Sequence, residues 1–424
     1  MPEKRWLRII PVAFIMYTIA FVDRTNISLA LQPMILDLHM SPTQAGDAAG
    51  VFFWGYLLLQ VPGVYLAHRW SAKRFVSVLL VIWGACSAAT GLVTTWREFW
   101  MMRLRLGVAE GGVWPATLVL LSNWFPRAER ARANAYWMLC LPASVIFSSP
   151  LSGWILGHWN WRVLLISEGA LPFLWLVVWW YFISDHPHQA RWISAEERDY
   201  LETTLRRESS ELQPATPELY LRALLPYLRA LPHVVLMVGI YFLVTSGNYG
   251  YLFWLPSALQ RAKTMSNVRV GFLFAVPYVM TAIGMVLISR HSDRSCERRK
   301  HVALALAWGG VLLLSGVLAS NRTPALSFVV IALVGAGTYG MLGPFWAIPT
   351  ETLPRSVAGS AMGLINALGN LGGRYGPLLV GYLNQRTGDF LLAFGVLSAS
   401  FLGASVLSLL PASSPHQNTQ PRRL

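Results

Sequence analysis

The chain is 424 residues long, 54% hydrophobic and only 13% charged, and its mean hydropathy is strongly positive. A soluble protein of that size needs more charge to cover its surface, so the composition points to an integral membrane protein. The net charge of +14 does not indicate nucleic acid, because the basic residues fall in short clusters between apolar runs rather than on one soluble face. Cys86, Cys140 and Cys296 have no paired spacing, so neither a disulfide framework nor a metal site is expected, and no cofactor is implied. The basic start Lys4-Arg5-Trp6-Leu7-Arg8 runs into a long apolar stretch without a small-residue cleavage site. The first helix is therefore expected to stay as an anchor.

A bilayer core takes about 20 apolar residues per helix. Twelve such runs are predicted, near 9–31, 45–67, 75–95, 98–122, 131–156, 162–183, 233–259, 267–289, 301–319, 325–349, 356–383 and 389–411. With both termini inside the cell, the inner segments hold Lys4, Arg5, Arg8, Arg69, Lys73, Arg74, Arg127, Arg130, Arg132, the arginines of 191–229, the cluster from Arg290 to Lys300, and Arg422 and Arg423. The other side has only scattered cations, namely Arg97, Arg162, Arg261, Lys263, Arg269, Arg322 and Arg386. That bias predicts cytoplasmic termini in a plasma (inner) membrane protein.

The polar stretch 185–230 divides the chain into an amino-terminal six-helix half (1–184) and a carboxy-terminal half (231–412), followed by a tail at 413–424. Within the divider, Ser194 with Glu197 three residues on reads as a helix N-terminus. Tyr200, Leu201 and Leu205 then give a short amphipathic helix that tethers and spaces the halves. The halves repeat one another. Gly63 leads into His68, Arg69, Lys73 and Arg74 after the second span, and Gly284 leads into Arg290, Asp293, Arg294 and Arg298 after the eighth. Two parallel repeats related by an axis along the membrane normal form a transporter architecture.

These features resemble the major facilitator superfamily and, within it, the anion:cation symporter family. The resemblance rests on Phe21-Val22-Asp23-Arg24-Thr25-Asn26-Ile27, on Arg103, Gly107, Glu110 and Gly111, and on Trp124-Phe125-Pro126 with Glu129-Arg130-Ala131. It continues through Trp192-Ile193-Ser194, Gly343-Pro344-Phe345-Trp346-Ala347-Ile348-Pro349, Asn366 and Gly369-Asn370-Leu371-Gly372-Gly373. It implies an all-α fold of twelve spans in two pseudo-repeats, no enzyme activity, and symport of a carboxylate, sugar acid or related anion with a proton. His68 stands where such proteins have Asp, and Ser71 where they have Gly. Either the inner gate (His68, Arg69, Asp293, Arg294) is held differently or responds to pH, or the substitution is simply tolerated.

Ionisable groups at membrane depth are costly and are functional candidates by default. Arg103 and Glu110 lie seven residues apart and share a helix face. The antiparallel first span then brings Asp23 to a depth between them, within reach of Arg103. A dry cavity favours a neutral acid and a nearby guanidinium favours the anion. An anion engaging Arg24 would thus ease protonation of Asp23 or Glu110, with Arg103 as the switchable partner of Asp23. Related symporters assign such roles to the matching positions. A permanent structural ion pair is the plainer alternative. Arg105 is read as snorkelling outward, and Glu168 as a structural helix contact.

The second half offers polar and aromatic groups where a cavity would lie: Asn248, Tyr249, Tyr339, Trp346, Asn366 and Asn370. Such groups suit a hydroxylated or aromatic acid. Arg374, one turn beyond Asn370, departs from the family pattern. It is either a second cavity cation for a dianion or sulfonate, or an outward snorkel. Leu141 replaces a polar residue common in relatives, which argues against a simple sugar acid. Two other readings compete with import of an anion by a monomer in the bilayer. A drug or metabolite exporter is disfavoured by the incomplete Gly-Pro pattern at Ser149-Pro150-Leu151-Ser152-Gly153, and a membrane sensor lacks a signalling domain.

Overall fold

A computed structural model of the chain describes residues 4–210, 217–262, 265–320, 323–353 and 355–410. Lys263, Arg322, Arg422, Arg423 and the tail at 413–424 lie outside the described residues. The described chain is helical, without a strand. Among the described residues, ten helical stretches are long and apolar enough to cross a bilayer, and an eleventh is the pair Pro42–Leu58 and Gln60–Arg69, bent by 42° at Leu59. The remaining segment, near 356–383, is built from Arg355–Gly369 and Gly372–Thr387. Each piece is short, and the asparagines, arginine and glycines between them lower its apolarity. The architecture is the all-α, two-repeat fold expected from the sequence.

Several spans are broken at mid-depth. The first breaks at Asn26, the fourth at Gly112, the sixth at Ala170 and the eleventh at Asn370–Leu371. Irregular backbone inside a membrane is tolerated where protein or a cavity receives its polar groups. Asn26 and Gly112 lie buried inside the bundle and Asn370–Leu371 half-buried, whereas Ala170 is exposed on its outside. Elsewhere the ends are set by local chemistry. Ser41 accepts from the Gln44 backbone while Gln44 returns the bond, with Pro42 at the first turn. Asn160 and Ser266 cap two further spans at the same face.

The halves meet unevenly. At the face away from the chain ends, the second span packs on the eleventh and the fifth on the eighth. The Thr43 N–H donates to Gln385 at 3.3 Å, and Asn267 donates to the Leu156 carbonyl at 3.1 Å. Gly271 lies against Gly153 so closely that a Cβ there would sit 2.4 Å from the Ser149 carbonyl oxygen. At the face carrying the chain ends, the described polar contacts stay within each half. Asp293 and Glu351 both hold Arg298, at 2.5 and 3.0 Å. Asp185 accepts from the Ser71 hydroxyl at 2.5 Å and from the Lys73 N–H at 2.9 Å. Among the described residues, polar contacts thus join the halves at the far face and not at the terminal face.

The amphipathic helix of the divider spans Ala195–Ser210. Ser194 accepts from the Glu197 N–H, but the Glu197 side chain turns away from the cap to meet Arg5 at 2.6 Å. Arg5 also holds Glu129 at 2.8 Å, and it is 3% exposed. One guanidinium therefore ties the first span, the fifth span and the divider together. Leu201 is fully buried beneath them, whereas Tyr200 is exposed. Removing one member of a buried ion pair leaves the rest uncompensated, at about 3–5 kcal/mol. Arg5→Ala is accordingly expected to lower the thermal unfolding midpoint sharply, and a double-mutant cycle with Glu197→Gln measures the shared part.

Candidate functional site

The first and fourth spans cross where both are broken, and their charges meet there. Arg24 donates from Nη2 and Nε to Glu110 Oε2, at 3.0 and 3.3 Å. Their side chains are 5% and 0% exposed. Aromatic faces complete the surroundings of the guanidinium, with Tyr56 at 4.7 Å, Phe52 at 4.9 Å and Phe21 at 5.5 Å from it. Phe52 has a second cation on its ring, since Arg103 lies 5.0 Å from the same centroid. A desolvated cation over an aromatic face gains about 2 kcal/mol. Two guanidiniums and a carboxylate thus share one dry chamber.

Asp23 faces elsewhere. Neighbouring helical residues point about 100° apart, so Arg24 turned towards the fourth span sends Asp23 back towards the third. There its oxygens accept from Trp83 Nε1 at 2.5 Å and from the Ser87 hydroxyl at 2.6 Å. The expected contact between Asp23 and Arg103 is corrected in its atoms. Arg103 reaches the Asp23 backbone carbonyl, at 3.5 Å, and not the carboxylate. Glu110 turns to Arg24, a pairing the sequence reading did not make. Trp83 and Ser87 were missed because they are uncharged and lie more than two turns from Lys73 and Arg74, the charges on their helix.

In the second half, Asn370 donates to the Asn366 carbonyl at 2.8 Å and to its side-chain oxygen at 2.9 Å. Asn366 faces Gln60 of the other half at 3.4 Å, and Gln60 donates to the Gly111 carbonyl at 3.2 Å. A polar chain therefore runs from the broken eleventh span to the residue beside Glu110. Tyr249 also bridges the halves, its ring 4.4 Å from that of Phe53. Asn248 is buried beside it. Trp346 is half-buried and packs edge-on against Tyr241 at 5.2 Å. Arg374 is engaged across the halves with Asp47, donating to its carboxylate and, at 3.2 Å, to its backbone carbonyl. Among the expected gate residues, His68, Arg69, Asp293 and Arg294 all lie exposed at the terminal face. Where His68 replaces the usual acid, Asp185 supplies the carboxylate for that loop.

The family model of the Major Facilitator Superfamily matches residues 13–377. A putative tartrate transporter of Agrobacterium vitis is 32% identical, over 99% of this chain and 93% of that protein. A quinolone resistance transporter of Acinetobacter baumannii is 30% identical, over 97% and 95%. Among solved structures, a bacterial homolog of the human lysosomal transporter Spinster, inward-facing and unoccupied, matches with a TM-score of 0.73. It covers 96% of this chain and 95% of that one at 17% identity, a likeness of fold.

Proposed function

The chain belongs to the major facilitator superfamily of membrane transporters, and from that premise we propose that it carries a small organic anion with a proton by alternating access. The anion is a carboxylate, sugar acid or sulfonate, and the chain works as a monomer in the inner membrane. Both termini are cytoplasmic on this reading, so the far face, where the halves are joined, is the outer one.

The observation that carries the reading is the buried pair of Arg24 and Glu110 at 3.0 Å. An incoming carboxylate competes for Arg24. Glu110 then loses its cation in a dry chamber, where an uncompensated charge costs several kcal/mol. Proton uptake at Oε1, which is buried without a hydrogen-bond partner among the described residues, removes that cost. Each ligand therefore tightens the other, and linkage makes the effect reciprocal. Asp23 and Arg103 hold a second carboxylate and a second cation next to the same chamber. Tyr249, Asn248, Trp346 and Asn370 supply faces and amides for the rest of the anion.

The test is uptake into proteoliposomes under an imposed inward proton gradient, with a panel of labelled acids. Accumulation of an acid that collapses with an ionophore is the expected result, and none across the panel overturns it. Export of hydrophobic compounds is the second reading, favoured by the aromatic lining around Arg24 and by the quinolone resistance relative. Proton-dependent efflux of such a compound, without acid uptake, would replace the first reading by the second.

Arg374 becomes available to cargo only if the far face opens and Asp47 lets go. Arg374→Leu is therefore expected to depress uptake of doubly charged acids more than that of singly charged ones, while Asp47→Asn, which weakens the hold on Arg374, shifts the ratio the other way. Competition assays with mono- and dianions measure it, and an unchanged ratio for Arg374→Leu removes the residue from the binding site.

A further inference from the structure

Behind the first span, away from the Arg24 chamber, lies another buried carboxylate that the transport scheme does not use. Glu168 is 3% exposed in the sixth span. Its Oε1 accepts from the Ser152 hydroxyl of the fifth span at 2.6 Å. Its Oε2 is buried without a hydrogen-bond partner among the described residues, and so is the amide nitrogen of Asn26, which faces it. Among the described residues no cation forms an ion pair with it.

The charged and titratable groups on the elements packed around Glu168 are few. Asp23 on the first span is held by Trp83 and Ser87. Arg24 is turned to Glu110. Cys86 sits on the third span and His158 at the exposed end of the fifth. Arg162 and Asp37 form a pair at 2.9 Å, six residues or about 9 Å along the same helix. None of these neutralises the carboxylate. An anion in that position would be uncompensated at membrane depth, which is costly.

The location matters as much as the charge. Asn26 is the break of the first span, and Ala170, two residues after Glu168, is the break of the sixth. Gly169 packs directly on the backbone of Ser87 and Ala88, beside the hydroxyl that holds Asp23. Glu168 thus faces the break at Asn26, lies two residues before the break at Ala170, and adjoins the glycine that packs on the support of Asp23.

We propose that Glu168 is a third proton-binding carboxylate of this half, a positioning residue whose proton sets the hinge at Asn26 and whose release accompanies straightening of the first span. With the proton on, Glu168 is neutral and donates a hydrogen bond. With it off, the bare carboxylate draws the Asn26 amide and shifts the first span together with Arg24. The step is a proton exchange with water alone. The inference rests on the proton-coupled reading of the site, and its test separates the two.

The test is difference infrared spectroscopy of the full chain in lipid, between acidic and alkaline pH, together with the proton-to-anion ratio of uptake. The expected result is a protonated carboxylic-acid band that disappears in Glu168→Gln, shifts in Ser152→Ala and survives in Glu110→Gln. Glu168→Gln should also lower the proton-to-anion ratio and flatten one limb of the pH profile of anion exchange, with Glu168→Asp restoring that limb. A band unchanged in both Glu168→Gln and Ser152→Ala overturns the proposal, as does an unaltered pH profile in Glu168→Gln. If Glu168→Gln does not fold, the Ser152→Ala band decides. Loss of proton-driven uptake in the unmodified chain would instead overturn the reading on which this rests, and the band assignment would stand apart from it.

Discussion

Glu110→Gln is expected to abolish proton-driven accumulation while exchange of labelled for unlabelled anion across the membrane continues. Glutamine keeps the shape and stays neutral, so it imitates the protonated acid at every pH. Arg24 then has no internal competitor, and the anion meets a free guanidinium. In the unmodified chain, falling pH fills Glu110 with a proton and releases Arg24, so anion binding strengthens as pH falls. In the variant that dependence is lost and binding stays at its tight, low-pH level. One pH unit corresponds to about 1.4 kcal/mol. For electroneutral one-to-one symport, that gradient sustains about a tenfold accumulation, which should fall to unity in Glu110→Gln. Arg24→Ala removes the other partner and should stop both accumulation and exchange, because nothing then holds the carboxylate. Exchange assays with and without a gradient separate the outcomes. Full accumulation by Glu110→Gln would remove the residue from the coupling machinery.

The number of crossings and the repeat were legible because they rest on composition and on loops of clustered cations, both local properties of the chain. The charged members of the cluster were legible for a related reason. Asp23, Arg24, Arg103 and Glu110 are conspicuous among apolar neighbours, and helical geometry fixes their depth. Which of them pair was not legible. A rotation of one residue along the first span exchanges Asp23 for Arg24 at the fourth span, and only packing settles that angle. Uncharged donors such as Trp83, Ser87 and Gln60 carry no mark, although Gln60 beside Pro62 in an apolar run was a usable hint. Asp47 and Asp185 act through partners more than 100 residues away. Their positions become meaningful once the halves and loops are assembled.

Gly271→Val is expected to drive the transporter towards conformers open at the far face. The closed face depends on two backbones meeting at Gly153 and Gly271. A Cβ at Gly271 would lie 2.4 Å from the Ser149 carbonyl oxygen and 2.9 Å from the Gly153 Cα. Both obstacles are main chain, so neither can swing aside as a flexible side chain would. The strain exists only while the fifth and eighth spans touch, and parting them relieves it. Overpacking of this kind costs about 1–3 kcal/mol, which displaces a two-state equilibrium by roughly 5- to 150-fold. Val51, 1% exposed and one turn from Asp47 on the same helix face, reports the change. In a background lacking Cys86, Cys140 and Cys296, a Val51→Cys reporter should react with a membrane-impermeant thiol reagent at least about fivefold faster when Gly271→Val is added. Net uptake should fall, because a cycle that cannot close one face cannot return its empty site. An unchanged labelling rate would mean that the two spans separate no further than they already have, and that the glycine pair is packing without a part in the cycle.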